Sequence, residues 1–168
     1  MSLSLRKAVI GLTWLPVAYT VLNHGVLPCR ITGRLMLPTF NPGTLTTAED
    51  VVLVTKFGAK TASNIHRGDV IMFRLPRDPE KILTKRVVAV AGDTVYPKQP
   101  YPKQKAGVPR NHVWVEGDNY FHLIDSNTFG PISLGLVTGK VVAVVWPPLR
   151  WGADLLTGGR NPMDPLTV

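Results

Sequence analysis

Cysteine, acidic residues and several familiar catalytic signatures are scarce or missing in this sequence. Cys29 is its only cysteine, which excludes an internal disulfide framework and a multi-cysteine zinc site. Charged residues make up 18% and hydrophobic residues 45% of the 168 residues, which excludes a disordered chain. There is no Gly-x-x-x-x-Gly-Lys loop, no His-Glu-x-x-His and no Gly-x-Ser-x-Gly, and the four histidines lack metal-like spacing. The sequence therefore predicts no metal site, and its length fits one domain of ordinary size.

The start of the chain is apolar and almost free of charge. No Lys, Arg, Asp or Glu occurs over residues 8–29, and the first acidic residue is Glu49. A helix of that length spans the hydrocarbon core of a bilayer, so we predict a transmembrane anchor over residues 8–29 and a separate domain over residues 30–168. A cleaved signal peptide and a buried core helix are the alternatives. An acid-poor, modestly basic beginning is also typical of mitochondrial targeting segments.

The rest of the chain consists of short β-branched blocks separated by turn residues. Glycine and proline, fifteen of each, punctuate it. The blocks predict a mostly-β domain with a coiled or barrel-like sheet. The predicted strands cover residues 50–54, 69–73, 86–90, 112–115 and 140–145.

A basic, proline-rich stretch over residues 96–105 has two interpretations. Its interleaved tyrosines and the net charge of +8 suggest a nucleic-acid surface. Polar proline-rich stretches more often connect strands, so we predict a solvated connection and do not expect nucleic acid as a partner.

Four blocks occur in a definite order behind the apolar start. They are Gly-Arg-Leu-Met-Leu-Pro-Thr (33–39), Arg-Gly-Asp-Val-Ile-Met-Phe (67–73), Lys-Arg-Val-Val-Ala-Val-Ala-Gly-Asp (85–93), and Gly-Asp-Asn (117–119) followed by Asp-Ser-Asn-Thr-Phe-Gly-Pro (125–131). In this order they resemble the type I signal peptidases, and among them the mitochondrial inner membrane peptidases. The resemblance covers nearly the whole chain.

The resemblance implies a membrane-tethered serine protease with a Ser/Lys dyad. The family's catalytic lysine corresponds to Lys85, and its nucleophile corresponds to Leu35. The mechanism requires an amine that is neutral near the working pH, which desolvation beside Val87 and Val88 can provide. The resemblance also implies supporting roles for residues around these two positions, namely Gly33, Met36, Pro38, Asp118, Asn119, Leu123, Asp125 and Ser126.

The sequence departs from the family pattern at three positions where serine is expected: Leu35, Leu123 and Leu134. Leucine has no lone pair with which to attack a carbonyl, so the chain as written cannot run the dyad mechanism. Three explanations are open. A CUG codon that the source organism reads as serine is printed as leucine by the standard code. Alternatively, the chain is a non-catalytic subunit, or residue 35 has been altered.

The function expected from the resemblance is removal of sorting segments from proteins delivered to the mitochondrial intermembrane space. The expected partners are a sister peptidase subunit, precursor-protein substrates and inner-membrane lipid, with the β domain facing the intermembrane space. No metal or organic cofactor is implied. The alternative function is a catalytically dead subunit of the same complex that supports the sister protease or binds presequences.

Overall fold

A computed structural model of the chain describes residues 7, 11–16, 19–20, 25–33, 36–42, 49–119, 124–156 and 158. Strands dominate these residues, so the mostly-β prediction is confirmed. The strands are β1 (Val26–Arg30), β2 (Val51–Thr55), β3 (Val70–Leu75), β4 (Asp78–Ala89), β5 (Thr94–Val95), β6 (Ala106–Gly107), β7 (His112–Glu116), β8 (Ile132–Ser133) and β9 (Val137–Trp146). A short α-helix covers Ser126–Phe129, and 3-10 turns cover Ala62–Asn64, Leu134–Leu136 and Pro148–Arg150.

Seven of the strands form one antiparallel sheet in the order β1-β2-β9-β3-β4-β7-β8, and β5 pairs with β6. The last strand, β9, therefore lies near the middle of the sheet, between β2 and β3. No pairing joins β8 to β1 among the described residues, so the sheet there is open rather than a closed barrel. Register shifts interrupt the β2–β9, β3–β4, β3–β9 and β4–β7 ladders. Such irregularities bend strands and increase their twist.

Strand β1 corrects the predicted extent of the N-terminal anchor. Residues 11–16 and 19–20 are helical, but Val26–Arg30 is a strand that pairs with β2 along its full length. The prediction of a helix over residues 8–29 is therefore wrong for its last residues. They alternate between exposed and half-buried, and Cys29 packs against the core, which is the pattern of an edge strand. The described residues include no helix that is long and apolar enough to cross a membrane.

Strand β4 is longer than predicted. The sequence predicted a strand from Arg86, whereas β4 begins at Asp78 and forms a hairpin with β3, with Phe73 opposite Leu83. The first part of β4 is exposed and carries charged residues and a proline, so it lacks the β-branched pattern that marks a buried strand.

Three apolar clusters form the core and cover β4 on both of its faces. One contains Ile71 and Val87, and another contains Val88 and Trp114. The third packs Met36 and Phe40 against β2 and β9. Because both faces of the second half of β4 are covered, polar side chains on that stretch are buried as well.

Residues 96–105 connect β5 to β6, as predicted for a connection between strands. The connection is not fully solvated, however. Tyr101 packs edge-to-face on the buried Trp114, with ring centroids 5.2 Å apart. The Lys98 backbone N–H donates to Asn127 Oδ1 at 2.7 Å. This connection therefore supports the short helix Ser126–Phe129.

Candidate active site

Lys85 is buried in the centre of the sheet. It lies on β4 opposite Ile71 of β3, and its side chain is fully shielded from solvent. Its Nζ has no hydrogen-bond partner among the described residues. Burial lowers the pKa of this amine, and the Asp125, Asp118 and Glu116 carboxylates nearby oppose the shift. An amine in this setting can exchange protons closer to neutral pH than an exposed lysine can.

Residues 31–42, hereafter the site segment, connect β1 to the region before β2. Residues 34 and 35 lie outside the described residues. On either side of them, Gly33 has a left-handed backbone with φ of 87°, and Met36 is 2% exposed. The Phe40 N–H donates to the Met36 carbonyl at 2.9 Å and closes a turn that contains Pro38. The apolar cluster around Met36 and Phe40 anchors this turn to the sheet.

A groove of about 220 Å³ separates the site segment from β3 and β4. Ile31, Gly33 and Met36 line it from the site segment, and Leu83 and Thr84 line it from β4. Met36, which follows position 35 in the chain, and Thr84, which precedes Lys85, therefore line the same groove.

Part of one edge of β4 is unpaired among the described residues. β4 pairs with β3 along most of its length but with β7 only from Arg86 onward. On the side away from β3, residues 83–85 thus have no strand partner among the described residues. A free edge of this kind can accept an extended peptide as an added strand.

Arg86 and Asp118 form a buried ion pair beside Lys85. Arg86 Nε lies 2.9 Å from Asp118 Oδ1, and its Nη2 lies 2.7 Å from Oδ2. Arg86 Nη1 also donates to the backbone carbonyls of Gly68 and Leu155. Thr39 of the site segment donates its hydroxyl proton to Asp118 Oδ2 at 2.5 Å. Asp118 therefore connects the site segment to β4.

The short helix Ser126–Phe129 fixes the residues that follow Leu123. Asp125 caps the helix, with Oδ1 accepting from the Asn127 N–H at 2.9 Å. Ser126 Oγ accepts from the Val115 N–H at 2.9 Å. Glu116 Oε1 accepts from Asn127 Nδ2 at 3.1 Å. Burial raises the pKa of the Asp125 carboxyl, and hydrogen bonds from Asn127 oppose the shift.

Comparisons with known proteins identify relatives of this chain. The family profile of the signal peptidases, peptidase S26, matches residues 5–100. The mitochondrial inner membrane protease subunit 2 of Saccharomyces cerevisiae is 52% identical over 158 residues, which cover 94% of this chain and 89% of that protein. The Schizosaccharomyces pombe protein of the same name is 44% identical and covers 87% of this chain and 79% of its own length. The S. pombe subunit 1 is 36% identical over 74% of this chain and 76% of its own length.

The chain belongs to the S26 signal peptidase family. Membership in the S26 family implies serine protease chemistry. Among the residues that this family resemblance predicted for the site, Lys85 and Asp118 are buried at the site, and Gly33 and Met36 line the groove. Pro38 lies in the turn of the site segment, and Asn119 is half-buried directly after Asp118. Asp125 and Ser126 are buried at the start of the short helix. Leu35 and Leu123 lie outside the described residues.

Sequence reasoning did not single out Arg86, Thr39, Glu116 or Asn127. For Arg86 a signal was available, since an arginine inside the apolar run of β4 needs a buried acidic partner. The side-chain contacts of Asn127 with β7 and with residues 96–105 could not be predicted from the sequence, because those segments are distant along the chain.

Leu134, the third position where serine was expected, is a core residue. It is 3% exposed and belongs to the apolar cluster that contains Ile65 and Val113. A serine there would leave a cavity and bury a hydroxyl among apolar side chains. The packing thus favours leucine at position 134. This position therefore does not support the explanation that a CUG codon read as serine is printed as leucine.

Proposed function

We propose that this chain is a membrane-anchored serine endopeptidase subunit that removes sorting segments from proteins delivered to the mitochondrial intermembrane space. The burial of Lys85 without a hydrogen-bond partner among the described residues is the observation that carries the proposal. A structural lysine would be expected to form an ion pair or to reach solvent. An amine kept dry and unpaired beside a peptide-sized groove is instead suited to act as a general base.

In the proposed reaction Lys85 acts as the general base for a hydroxyl at position 35. Neutral Nζ accepts the hydroxyl proton while the oxygen forms a bond to the scissile carbonyl carbon, whose π electrons move to the carbonyl oxygen. Collapse of this intermediate breaks the C–N bond, and the Lys85 ammonium protonates the leaving amine. Water, activated by the same amine, then hydrolyses the ester. Gly33 offers no side-chain hydroxyl, so backbone N–H groups must stabilise the oxyanion.

The substrate is proposed to bind as an extended strand. The unpaired edge of residues 83–85 supports this mode because it offers backbone donors and acceptors along the groove. The groove volume of about 220 Å³ suits small side chains just before the cut. Unfolded sorting segments satisfy both requirements.

The nucleophile in this proposal is serine at position 35, encoded by a CUG codon that the source organism reads as serine. Mass spectrometry of the protein from its native source tests this directly. Trypsin cuts after Arg34, so residue 35 begins its own peptide. Serine there supports the dyad, whereas leucine excludes catalysis by this chain. The same digest is expected to give leucine at residue 134, because that side chain packs in the core.

A second candidate function is a non-catalytic subunit of the same complex. The printed Leu35 favours it, because a leucine side chain cannot form an acyl-enzyme. Such a subunit would stabilise a sister protease or bind presequences along the same β4 edge. If mass spectrometry finds leucine at position 35 in the native protein, this second function is supported.

The names of the relatives support the location and the partner. The S. cerevisiae and S. pombe relatives are named mitochondrial inner membrane protease subunits, and both a subunit 1 and a subunit 2 occur in S. pombe. By analogy we propose that this chain is located at the inner membrane, that it associates with a sister peptidase subunit, and that its substrates are precursor proteins. The apolar N-terminal run is proposed to anchor it, with the β domain in the intermembrane space.

Cleavage of a precursor peptide tests the activity itself. The form with serine at position 35 should cut, and Lys85→Ala and Lys85→Arg should each abolish turnover while the fold persists. Lys103→Ala, an exposed lysine in the connection between β5 and β6, is the matched control and should retain turnover. Retained turnover in either Lys85 variant would refute the assignment of Lys85 as the base.

A further inference from the structure

Asn41 closes the site segment on itself. Its backbone is left-handed, with φ of 53°, and its Nδ2 donates to the carbonyls of Ile31 at 2.9 Å and Gly33 at 3.1 Å. Asparagine tolerates this conformation better than most residues do. The two hydrogen bonds hold the end of the site segment against its beginning. Position 35 therefore lies inside a loop whose two ends are tied together.

Asp50 fixes the closed loop to the sheet. Its Oδ2 accepts from the Asn41 N–H at 2.9 Å, and its own N–H donates to Asn41 Oδ1 at 2.7 Å. Its carbonyl accepts from the Ile31 N–H at 2.9 Å. Asp50 directly precedes β2, so these three contacts determine where the loop lies relative to the sheet.

Arg150, near the C-terminal end of the chain, contacts both Asp50 and the site segment. It lies in the 3-10 turn after β9, and its Nη1 forms an ion pair with Asp50, whose side chain is 2% exposed. Its Nη2 donates to the Thr39 carbonyl at 2.6 Å. One guanidinium thus neutralises the buried carboxylate and also binds the backbone of the site segment, which a fixed fork geometry allows.

We propose that Arg150, acting through Asp50 and Asn41, is a positioning residue that holds the site segment in place relative to β4 and Lys85. The proposal rests on the peptidase function proposed above. Arg150 binds the backbone of the site segment through a hydrogen bond, whereas Met36 and Phe40 anchor the same segment through apolar packing. Loss of Arg150 should therefore leave the fold intact and loosen the loop. A displacement of about 1 Å at a reacting group can lower a rate about 100-fold.

The test compares Arg150→Ala, Arg150→Lys and Arg67→Ala in the full chain with serine at position 35. Arg67 is the matched control, because it forms a two-pronged ion pair with Asp93 and no hydrogen bond or ion pair with the described residues of the site segment. For Arg150→Ala we expect kcat to fall about 30-fold or more, with KM within about threefold. Arg150→Lys, which keeps a cation for Asp50, should recover part of kcat. Arg67→Ala should retain kcat.

Hydrogen exchange at the Asn41 amide gives a readout that does not depend on catalysis. Its exchange rate should rise about tenfold or more in Arg150→Ala and stay unchanged in Arg67→Ala. Unchanged kcat and exchange in Arg150→Ala would overturn the proposal, as would an equal loss of kcat in Arg67→Ala. If the parent form with serine at position 35 does not cut, the proposed function has failed. The exchange result alone then decides whether Arg150 positions the loop.

Discussion

Lys85 and Arg86 are adjacent on β4 and both buried, yet they differ completely in their partners. The Lys85 amine has none among the described residues, whereas the Arg86 guanidinium donates to a carboxylate and to two backbone carbonyls. Consecutive residues of a strand point to opposite faces. The lysine amine, which has no partner among the described residues, and the neutralised guanidinium therefore lie on opposite faces of the strand.

Lys85→Met should stabilise the protein at pH 7 by about 1–3 kcal/mol, because it removes a buried polar group that has no hydrogen-bond partner among the described residues. The gain should shrink as the pH rises. Burial lowers the pKa of Lys85 in the folded state, so the unfolded chain binds more protons between the folded pKa and the ordinary lysine value of about 10.4. In that window the stability of the parent protein rises with pH.

Chemical denaturation of the parent and of Lys85→Met at pH 7 and pH 9.5 measures this difference. Lys103→Met, at an exposed position, is the control and should show no pH-dependent gain. A stability difference that is constant across the two pH values would contradict the lowered pKa.

Asp125→Asn should move the acidic limb of the pH–rate profile to lower pH in the form with serine at position 35. In the proposed reaction activity requires neutral Lys85, and the Asp125 carboxylate opposes the lowering of the Lys85 pKa. Asparagine removes this charge and still caps the helix, since its side-chain oxygen can accept from Asn127. Asp78→Asn, at an exposed pair on the β3–β4 hairpin, should leave the limb in place. A shift to higher pH in Asp125→Asn would contradict this account.

Arg86→Met and Asp118→Leu should each cost about 3–5 kcal/mol of unfolding free energy, because each leaves the other charge buried and unpaired. The double variant Arg86→Met/Asp118→Leu should cost less than the sum of the two. A double-mutant cycle in urea measures the coupling, which we expect to be about 2 kcal/mol or more. Additive losses would mean that the two side chains do not depend on each other.

Gly139→Ala should destabilise the protein by about 1–3 kcal/mol, because a Cβ there would lie 2.3 Å from Val54 Cγ1 and 3.2 Å from the Thr55 carbonyl. This glycine lets β9 approach β2. The double variant Gly139→Ala/Val54→Ala removes the closer contact and should be less destabilised than the sum of its single variants. Thermal unfolding of the three variants checks the prediction.

The sequence predicted the strands whose residues follow an alternating or continuous apolar pattern. Blocks such as residues 69–73 and 140–145 alternate or run apolar between turn residues, and they lie in β3 and β9. The exposed beginning of β4 carries no such pattern, because its partner in the hairpin stabilises it. Residues 26–29 looked like the end of a membrane helix because they are apolar, but pairing with β2 makes them part of a strand. Tertiary pairing outweighed local pattern in both cases.

The site was predictable where a single residue type carries the chemistry and not where contacts between distant segments do. Lys85 was identified from its block, and its burial agrees with the predicted apolar setting. Arg150 and Asn41 were not, because an arginine in a proline-rich terminal stretch and an asparagine before a proline are ordinary in sequence. Their importance arises only where β9 brings the end of the chain beside the site segment.

The contacts of Arg150 also have a consequence for when the site is assembled. Thr39 and Arg150 are 111 residues apart in the chain, and Asp50 and Arg150 are 100 apart. A chain that emerges with its N terminus first therefore exposes position 35 and Lys85 long before Arg150 is available. Until β9 and the turn after it arrive, nothing holds the Thr39 backbone from that side. If the proposed function holds, a chain that is still being synthesised or imported would therefore cut more slowly than the folded protein, in which Arg150 contacts the Thr39 backbone.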